Sequence, residues 1–286
     1  MNIAMASGKG GTGKTTISLS LAMYLSLNGT HVALLDCDVE APNVNLFLGA
    51  FIEKTQKSSV LIPSVDHSLC TGCGECERIC GYNAIVIIRH EPLVLADMCH
   101  SCGGCFHACP EKAITEMPKE IGVIESGSAH GIDFAGGRLD IGAHMSPPLI
   151  KDIKKLHRDA DVRIIDCPPG TSCPVIESVK GCDFLILITE PTPFGLNDLR
   201  LAVNMAGALS LPFGVVINRA GVGNDDVEKY CKKNDIEILG RISNIKRIAE
   251  EYSMGDCSSY ILKIFSEEFD HILNRIMKKT AVDASL

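Results

Sequence analysis

Two groups of residues in this chain have the type and spacing to do chemistry. The first is Gly8-Lys9-Gly10-Gly11-Thr12-Gly13-Lys14-Thr15-Thr16. Glycines without side-chain obstruction leave backbone N–H groups free to cradle phosphate oxygens. The lysine after the last glycine then reaches the β- and γ-phosphates, and the next hydroxyl ligates Mg2+. Lys14 and Thr15 fill those two places. The second group is cysteine: fourteen occur in 286 residues, and eight of them form two runs, Cys70-x2-Cys73-x2-Cys76-x3-Cys80 and Cys99-x2-Cys102-x2-Cys105-x3-Cys109-Pro110. This spacing matches the bacterial pattern for two [4Fe–4S] clusters, in which the fourth cysteine of each run ligates the other cluster. The expected ligand sets are Cys70, Cys73, Cys76 and Cys109 for one cluster, and Cys99, Cys102, Cys105 and Cys80 for the other. Gly81 stands where the first run would usually carry proline, which relaxes the turn after Cys80 and removes no ligand. Four-cysteine zinc sites also use C-x2-C pairs, but two tandem three-plus-one runs serve no evident purpose for zinc.

The flanking segments read as the elements that position these groups. Asn2 to Ala6 is a short buried strand and Thr16 to Leu25 an amphipathic helix, so phosphates would sit on a helix N-terminus. His31 to Asp36 is a second buried strand, and its end, Asp36-Cys37-Asp38, brings two carboxylates to the ligand edge of the sheet. Val39 to Asn43 would be a loop responding to γ-phosphate and Mg2+. Val162 to Asp166 is another apolar strand ending in a carboxylate, as a Walker B aspartate requires, and Pro168 to Thr171 would form a second switch loop. Phe184 to Thr189 and Phe213 to Asn218 are continuous apolar runs separated by a helix at 196–209, the mark of a parallel sheet covered on both faces.

From about His67 to Pro118 the strand–helix alternation gives way to cysteine, glycine and turn residues, with an internal repeat of period 29. The expected organisation is a P-loop domain in two parts, 1–64 and 119–286, carrying a small ferredoxin-like α+β module at 65–118. The fold class is α/β, a doubly wound, mostly parallel sheet. Gly136-Gly137 reads as a turn between short strands, 147–158 as a helix, and 225–233, 246–252 and 266–278 as three further helices. The last puts Phe269, Ile272, Leu273, Ile276 and Met277 on one side; its acidic start (Glu267, Glu268, Asp270) argues for packing on the sheet rather than on anionic lipid.

A hydrophobic content of 46% suits a globular chain with one large core. No apolar run approaches the roughly 18 residues of a membrane span. The glycine-rich loop begins within ten residues of Met1, which leaves no room for a cleavable signal and points to a cytoplasmic protein. There structural disulfides are rare, so cysteine-bound metal is the better expectation. A net charge of −8 offers no footprint for nucleic acid. Of the other cysteines, Cys37 and Cys167 read as small buried fillers and Cys173 as a surface thiol near the second switch; Cys182, Cys231 and Cys257 form no C-x2-C pair.

With these residues in hand, nearly the whole chain resembles the MinD/ParA/Mrp and nitrogenase iron protein superfamily of P-loop ATPases, in particular members with an inserted bacterial ferredoxin domain. Lys9 resembles the signature lysine of the deviant Walker A motif, which in that family reaches across a nucleotide-sandwich dimer to the partner's phosphates. The resemblance implies that Asp38 orients or activates the attacking water, that Asp36 and Asp166 hold the Mg2+ shell, and that Asn218 reads the adenine edge. It implies ATP/ADP, Mg2+ and two [4Fe–4S] clusters as cofactors, an ATP-dependent homodimer or a heterodimer with a paralogous ATPase, and a redox or iron–sulfur protein as partner. The chain departs from the iron protein in having no cysteine between Cys109 and Cys167, so an intersubunit cluster is not expected, and from Mrp-type carriers in lacking a C-terminal C-x2-C pair. Three functions follow: ATP hydrolysis coupled to electron transfer or iron–sulfur chemistry, a positioning switch with sensory or structural clusters, and a cluster carrier or scaffold.

Overall fold

The computed structural model describes residues 1–253 and 259–283. The chain forms two compact units. One comprises Met1–Thr55, Ile124–Arg138 and the residues from Ile150 onward, the other Gln56–Val123 with Leu139–Leu149.

The first unit opens with β1 (Asn2–Ala6), α1 (Lys14–Leu27), β2 (Val32–Asp36) and α2 (Val44–Leu48), and β3 (Phe51–Val65) leads out of it. The second unit holds α3 (Glu75–Ile79), β4 (Ile85–Ile88), β5 (Glu91–Val94), a 3-10 turn at Ala96–Met98 and α4 (Gly104–Ala108). The chain returns through β6 (Ile114–Ala129) and continues with β7 (Ile132–Leu139), α5 (Pro147–Ile153), β8 (Val162–Asp166) and α6 (Cys173–Val179). After these come β9 (Phe184–Thr189), α7 (Pro193–Ala208), β10 (Phe213–Ala220) and α8 (Asp226–Lys233). The described chain ends with β11 (Ile238–Ser243), α9 (Lys246–Ser253) and α10 (Ser259–Asp283).

The main sheet has the order β11-β10-β9-β1-β8-β2-β7-β6-β3. From β11 to β7 every pairing is parallel. His130 and Gly131 alone join β6 to β7, both at positive φ (54° and 73°), the two-residue connection of an antiparallel hairpin. Strands of such a sheet are buried on both faces, and β2 and β9 are buried at every position. Helices close the faces: Phe269, Ile272 and Ile276 of α10 are at most 1% exposed, and the Phe269 ring lies 5.9 Å from that of Tyr24 on α1. The expected packing of this helix holds, except that Met277 is 58% exposed. Among the described residues no helix is long and apolar enough to cross a membrane.

Several details differ from the sequence expectation. Gly136-Gly137 is not a turn; both residues lie inside β7, where Gly136 stands opposite Asp36. A Cβ on Gly136 would come within 2.7 Å of the Phe134 ring and 3.3 Å of Asp36 Cβ, so the glycine leaves room for the Phe134 ring first and for Asp36 beside it. The helix from Pro147 stops at Ile153 rather than 158, and His157 turns the chain at φ 48°. β11 escapes a hydrophobicity reading because only Leu239 and Ile242 of its residues are buried. The unit holding the cysteine-rich stretch is wider than 65–118, because β3 and β6 run straight through both of those limits without a linker. Its core is small, with Cys76, Ile85 and Ile114 buried and Val65, Ile87 and Val94 packed around them.

Candidate nucleotide site and cysteine cavities

β1 ends at Ala6 and α1 starts at Lys14, so the glycine-rich loop spans the C-terminal edge of the sheet. Two glycines are required by close approach. A Cβ on Gly8 would lie 2.4 Å from the Asp198 carbonyl oxygen, and one on Gly13 would lie 2.2 Å from Asn218 Nδ2. Gly13 is also left-handed, at φ 87°. Gly13→Ala therefore carries both a clash and a strained backbone worth about 1–3 kcal/mol; it is expected to lower the melting temperature and to cost at least tenfold in ATP affinity, measured by calorimetry on the same sample.

A cavity of about 340 Å3 opens on the loop, lined by Lys9 to Ile17, Asp38, Asn43, Asn218 and Arg219, with Ile245, Ile248 and Ile261 as an apolar wall. Two polar atoms buried among these residues, Thr12 Oγ1 and Asn43 Oδ1, have no hydrogen-bond partner in the protein. Unpaired buried groups of this kind mark where a ligand supplies the missing bonds. Asn218 Nδ2 donates to the Thr12 carbonyl at 2.7 Å, which ties the end of β10 to the loop.

The two strand-end aspartates lie beneath this cavity. Asp166 is fully buried and receives the Lys14 ammonium at 2.8 Å, the Thr15 hydroxyl at 2.7 Å and the Ser18 hydroxyl at 2.7 Å. Asp36 accepts backbone N–H bonds from Asp38, Asn43 and Val44, each at 3.0 Å. Burial, followed by the neighbouring Asp166 charge, pushes Asp36 up to about 7 despite those bonds. Burial works against the Lys14 charge, but Asp166 overcomes it and holds the ammonium above the ordinary lysine range. Burial also raises Asp38, against the pull of Lys14.

Lys9 lies in a third arrangement, which the sequence reading missed. Its ammonium is 2.5 Å from Glu190 Oε1, and the Arg219 guanidinium is 3.0 Å from Glu190 Oε2. Burial opposes the Glu190 charge, yet the two cations keep its carboxyl below the usual range. Glu190 follows the apolar strand β9 directly. The rule that singled out Asp36 and Asp166, a carboxylate at a strand's C-terminal end, would have found it too. Ser18 gave no such signal, since a serine one turn into a helix is ordinary.

The eight motif cysteines fall around two cavities in the second unit. One is lined by Cys70, Cys73, Cys76 and Cys109, the other by Cys80, Cys99, Cys102 and Cys105. All described cysteines are free thiols. Backbone N–H groups donate to the sulfurs, among them Ala84 to Cys80 at 3.2 Å, Ser101 to Cys99 at 3.4 Å and Ala113 to Cys109 at 3.3 Å. Among the described residues no three His, Cys, Asp or Glu side chains converge where a single metal ion could be held. Four soft thiols about one cavity, with N–H bonds to sulfur, are a donor set of the kind that iron–sulfur groups use. Cys37 and Cys167 are wholly buried, and burial pushes both thiols up, as fillers would be; Cys173 is exposed. Cys257 lies outside the described residues.

A family model for the CobQ/CobB/MinD/ParA nucleotide binding domain matches residues 3–257. An uncharacterized protein of Methanocaldococcus jannaschii is 38% identical over 229 residues, 78% of this chain and 80% of its own. The iron-sulfur cluster carrier protein of the same organism is 27% identical over 299 residues, 97% of this chain and 84% of the relative. Among solved structures, the septum site-determining protein MinD complexed with Mg-ADP from Pyrococcus horikoshii OT3 is similar at a TM-score of 0.60 and 20% identity, over 100% of this chain and 99% of that one. On its fold and on the residues matched, the chain belongs to the CobQ/CobB/MinD/ParA nucleotide-binding family.

Proposed function

We propose that this protein is an ATPase in which a nucleotide-dependent dimer is coupled to two [4Fe–4S] clusters, for electron transfer or iron–sulfur chemistry with a protein partner. The observation that carries the reading is the sorting of eight thiols into two cavities of four, Cys70/Cys73/Cys76/Cys109 and Cys80/Cys99/Cys102/Cys105, each taking its fourth thiol from the other run.

The loop N–H groups receive the phosphates, and Lys14 exchanges the Asp166 carboxylate for phosphate oxygens. Thr15, Asp36 and Asp166 are the residues that would hold Mg2+, which when bound neutralises charge developing on the phosphates. Asp38, raised by burial, is suited to orient a water and accept its proton. Lys9 leaves Glu190 and acts on the phosphates of a second copy, so turnover waits for the dimer. The cluster-holding stretch lies in sequence between the two switch loops, Asp38 to Asn43 and Pro168 to Thr171, which makes a response of the clusters to nucleotide reasonable.

Anaerobic redox titration in the apo, ADP and non-hydrolysable ATP states, with oligomeric state recorded on the same samples, tests this. Dimerisation with ATP together with a shift of cluster potential is the expected result. Dimerisation with no shift would instead support a positioning switch.

The resemblance to iron-sulfur cluster carrier proteins over 97% of the chain favours one further reading, a carrier. Its discriminator is release of iron and sulfide to an apo-acceptor. Complete ligation of each cubane by four thiols opposes easy release.

A further inference from the structure

The two cysteine repeats are not equivalent. At a period of 29, Ser101 occupies the place of Gly72. Both residues are left-handed, at φ 54° and 70°, a conformation that suits glycine and strains serine. Serine is nevertheless present, and its Oγ is buried with no hydrogen-bond partner in the protein. Ser101 lines the cavity of Cys80, Cys99, Cys102 and Cys105, and its own N–H already donates to Cys99 Sγ at 3.4 Å.

The first repeat has no room for the same group. A Cβ on Gly72 would lie 2.5 Å from the His90 carbonyl oxygen and 3.0 Å from His90 Cβ. The backbone N–H bonds to the fourth cysteine of each run are matched between the halves, Ala84 to Cys80 at 3.2 Å against Ala113 to Cys109 at 3.3 Å, and so do not distinguish them. The first cavity has no hydroxyl at this position; its own hydroxyl, on Thr71, stands one place earlier, where the second run carries His100.

We propose that the Ser101 O–H donates to a sulfur of the cluster held by Cys80, Cys99, Cys102 and Cys105, and sets its reduction potential above that of the cluster held by Cys70, Cys73, Cys76 and Cys109. This rests on the reading that the eight thiols hold two cubanes. Reduction adds one electron and so negative charge to the sulfurs; a hydrogen bond to sulfur stabilises the reduced form more than the oxidised one. An electron supplied by an external one-electron reductant therefore rests at the Ser101 side.

The test uses the full chain, reconstituted anaerobically, as parent and as Ser101→Gly and Ser101→Ala. Ser101→Gly suits the left-handed backbone and relieves strain, so folding is not at stake in it. Iron and acid-labile sulfide are counted first; failure of the parent to take up two cubanes overturns the cluster reading, and this inference with it. With both clusters in place, a dithionite titration followed by electron paramagnetic resonance is expected to resolve two midpoints in the parent. Both variants lower the higher midpoint and leave the lower one unmoved. Coincident midpoints in the parent, unchanged midpoints in the variants, or equal movement of both couples would overturn the inference while leaving the cluster reading intact.

Discussion

Lys9→Ala is expected to remove ATP turnover while leaving the affinity of the single protomer for ATP within a few-fold of the parent. Lys14, not Lys9, is the lysine held at the buried carboxylate, 2.8 Å from Asp166. Lys9 is turned away from that centre to Glu190 and keeps a third of its side chain exposed. With its ammonium held by Glu190, Lys9 is expected to contribute little to phosphate binding in its own chain although it lines the cavity. Delivered to a second copy it would stabilise charge on the transferring phosphoryl group, where one added cation is worth about 10^3–10^5 in rate. Phosphate release and fluorescent-nucleotide binding measure the two quantities separately. Unchanged turnover would sink the trans role, and loss of binding in proportion to turnover would place Lys9 at the phosphates of its own chain.

The second large effect concerns cluster content. Cys76→Ser and Cys109→Ser, 33 positions apart in the sequence, are expected to give the same product, with about four of about eight irons lost in each. Their double variant should lose no more than either alone, because both line one cavity. Cys76→Ser combined with Cys80→Ser, only four positions apart, should lose nearly all the iron, because these two line different cavities. Iron and sulfide analysis after anaerobic reconstitution reads the pattern. Equal loss in the two double variants would show that the cavities do not act as separate sites, and a Cys76/Cys80 double no worse than its singles would show that ligation follows the runs.

The parallel sheet was legible because its strands are buried on both faces and so read as unbroken apolar runs, as in Phe184 to Thr189. The short helix α2 and the edge strand β11 were not, because neither carries enough periodic hydrophobicity to stand out from a loop. Gly136-Gly137 misled for a specific reason. Paired glycines mark turns when turn chemistry decides, whereas here Gly136 makes room inside β7 for the Phe134 ring and for Asp36 on the neighbouring strand. The limits of the cysteine-bearing unit were blurred likewise, since no change of composition marks where long strands such as β3 and β6 pass from one unit to the other.

For the sites, residue type and spacing alone named the phosphate loop, the strand-end carboxylates and the eight thiols, since each is a local pattern that demands its own chemistry. The pattern also implied the crossed sets of thiols, but it left open which other distant side chains meet. Only the folded chain brings Glu190 and Arg219 to Lys9, separated from it by 181 and 210 positions, and only it buries the Ser18 hydroxyl at Asp166. The two cysteine runs read as near-copies that differ at Gly72 and Ser101, and packing decides what that difference means: His90 closes against Gly72, while the hydroxyl of Ser101 is left buried beside four thiols. Local sequence specifies backbone and donor chemistry, but which donors meet depends on contacts between distant segments, and those follow from the packing of the whole chain.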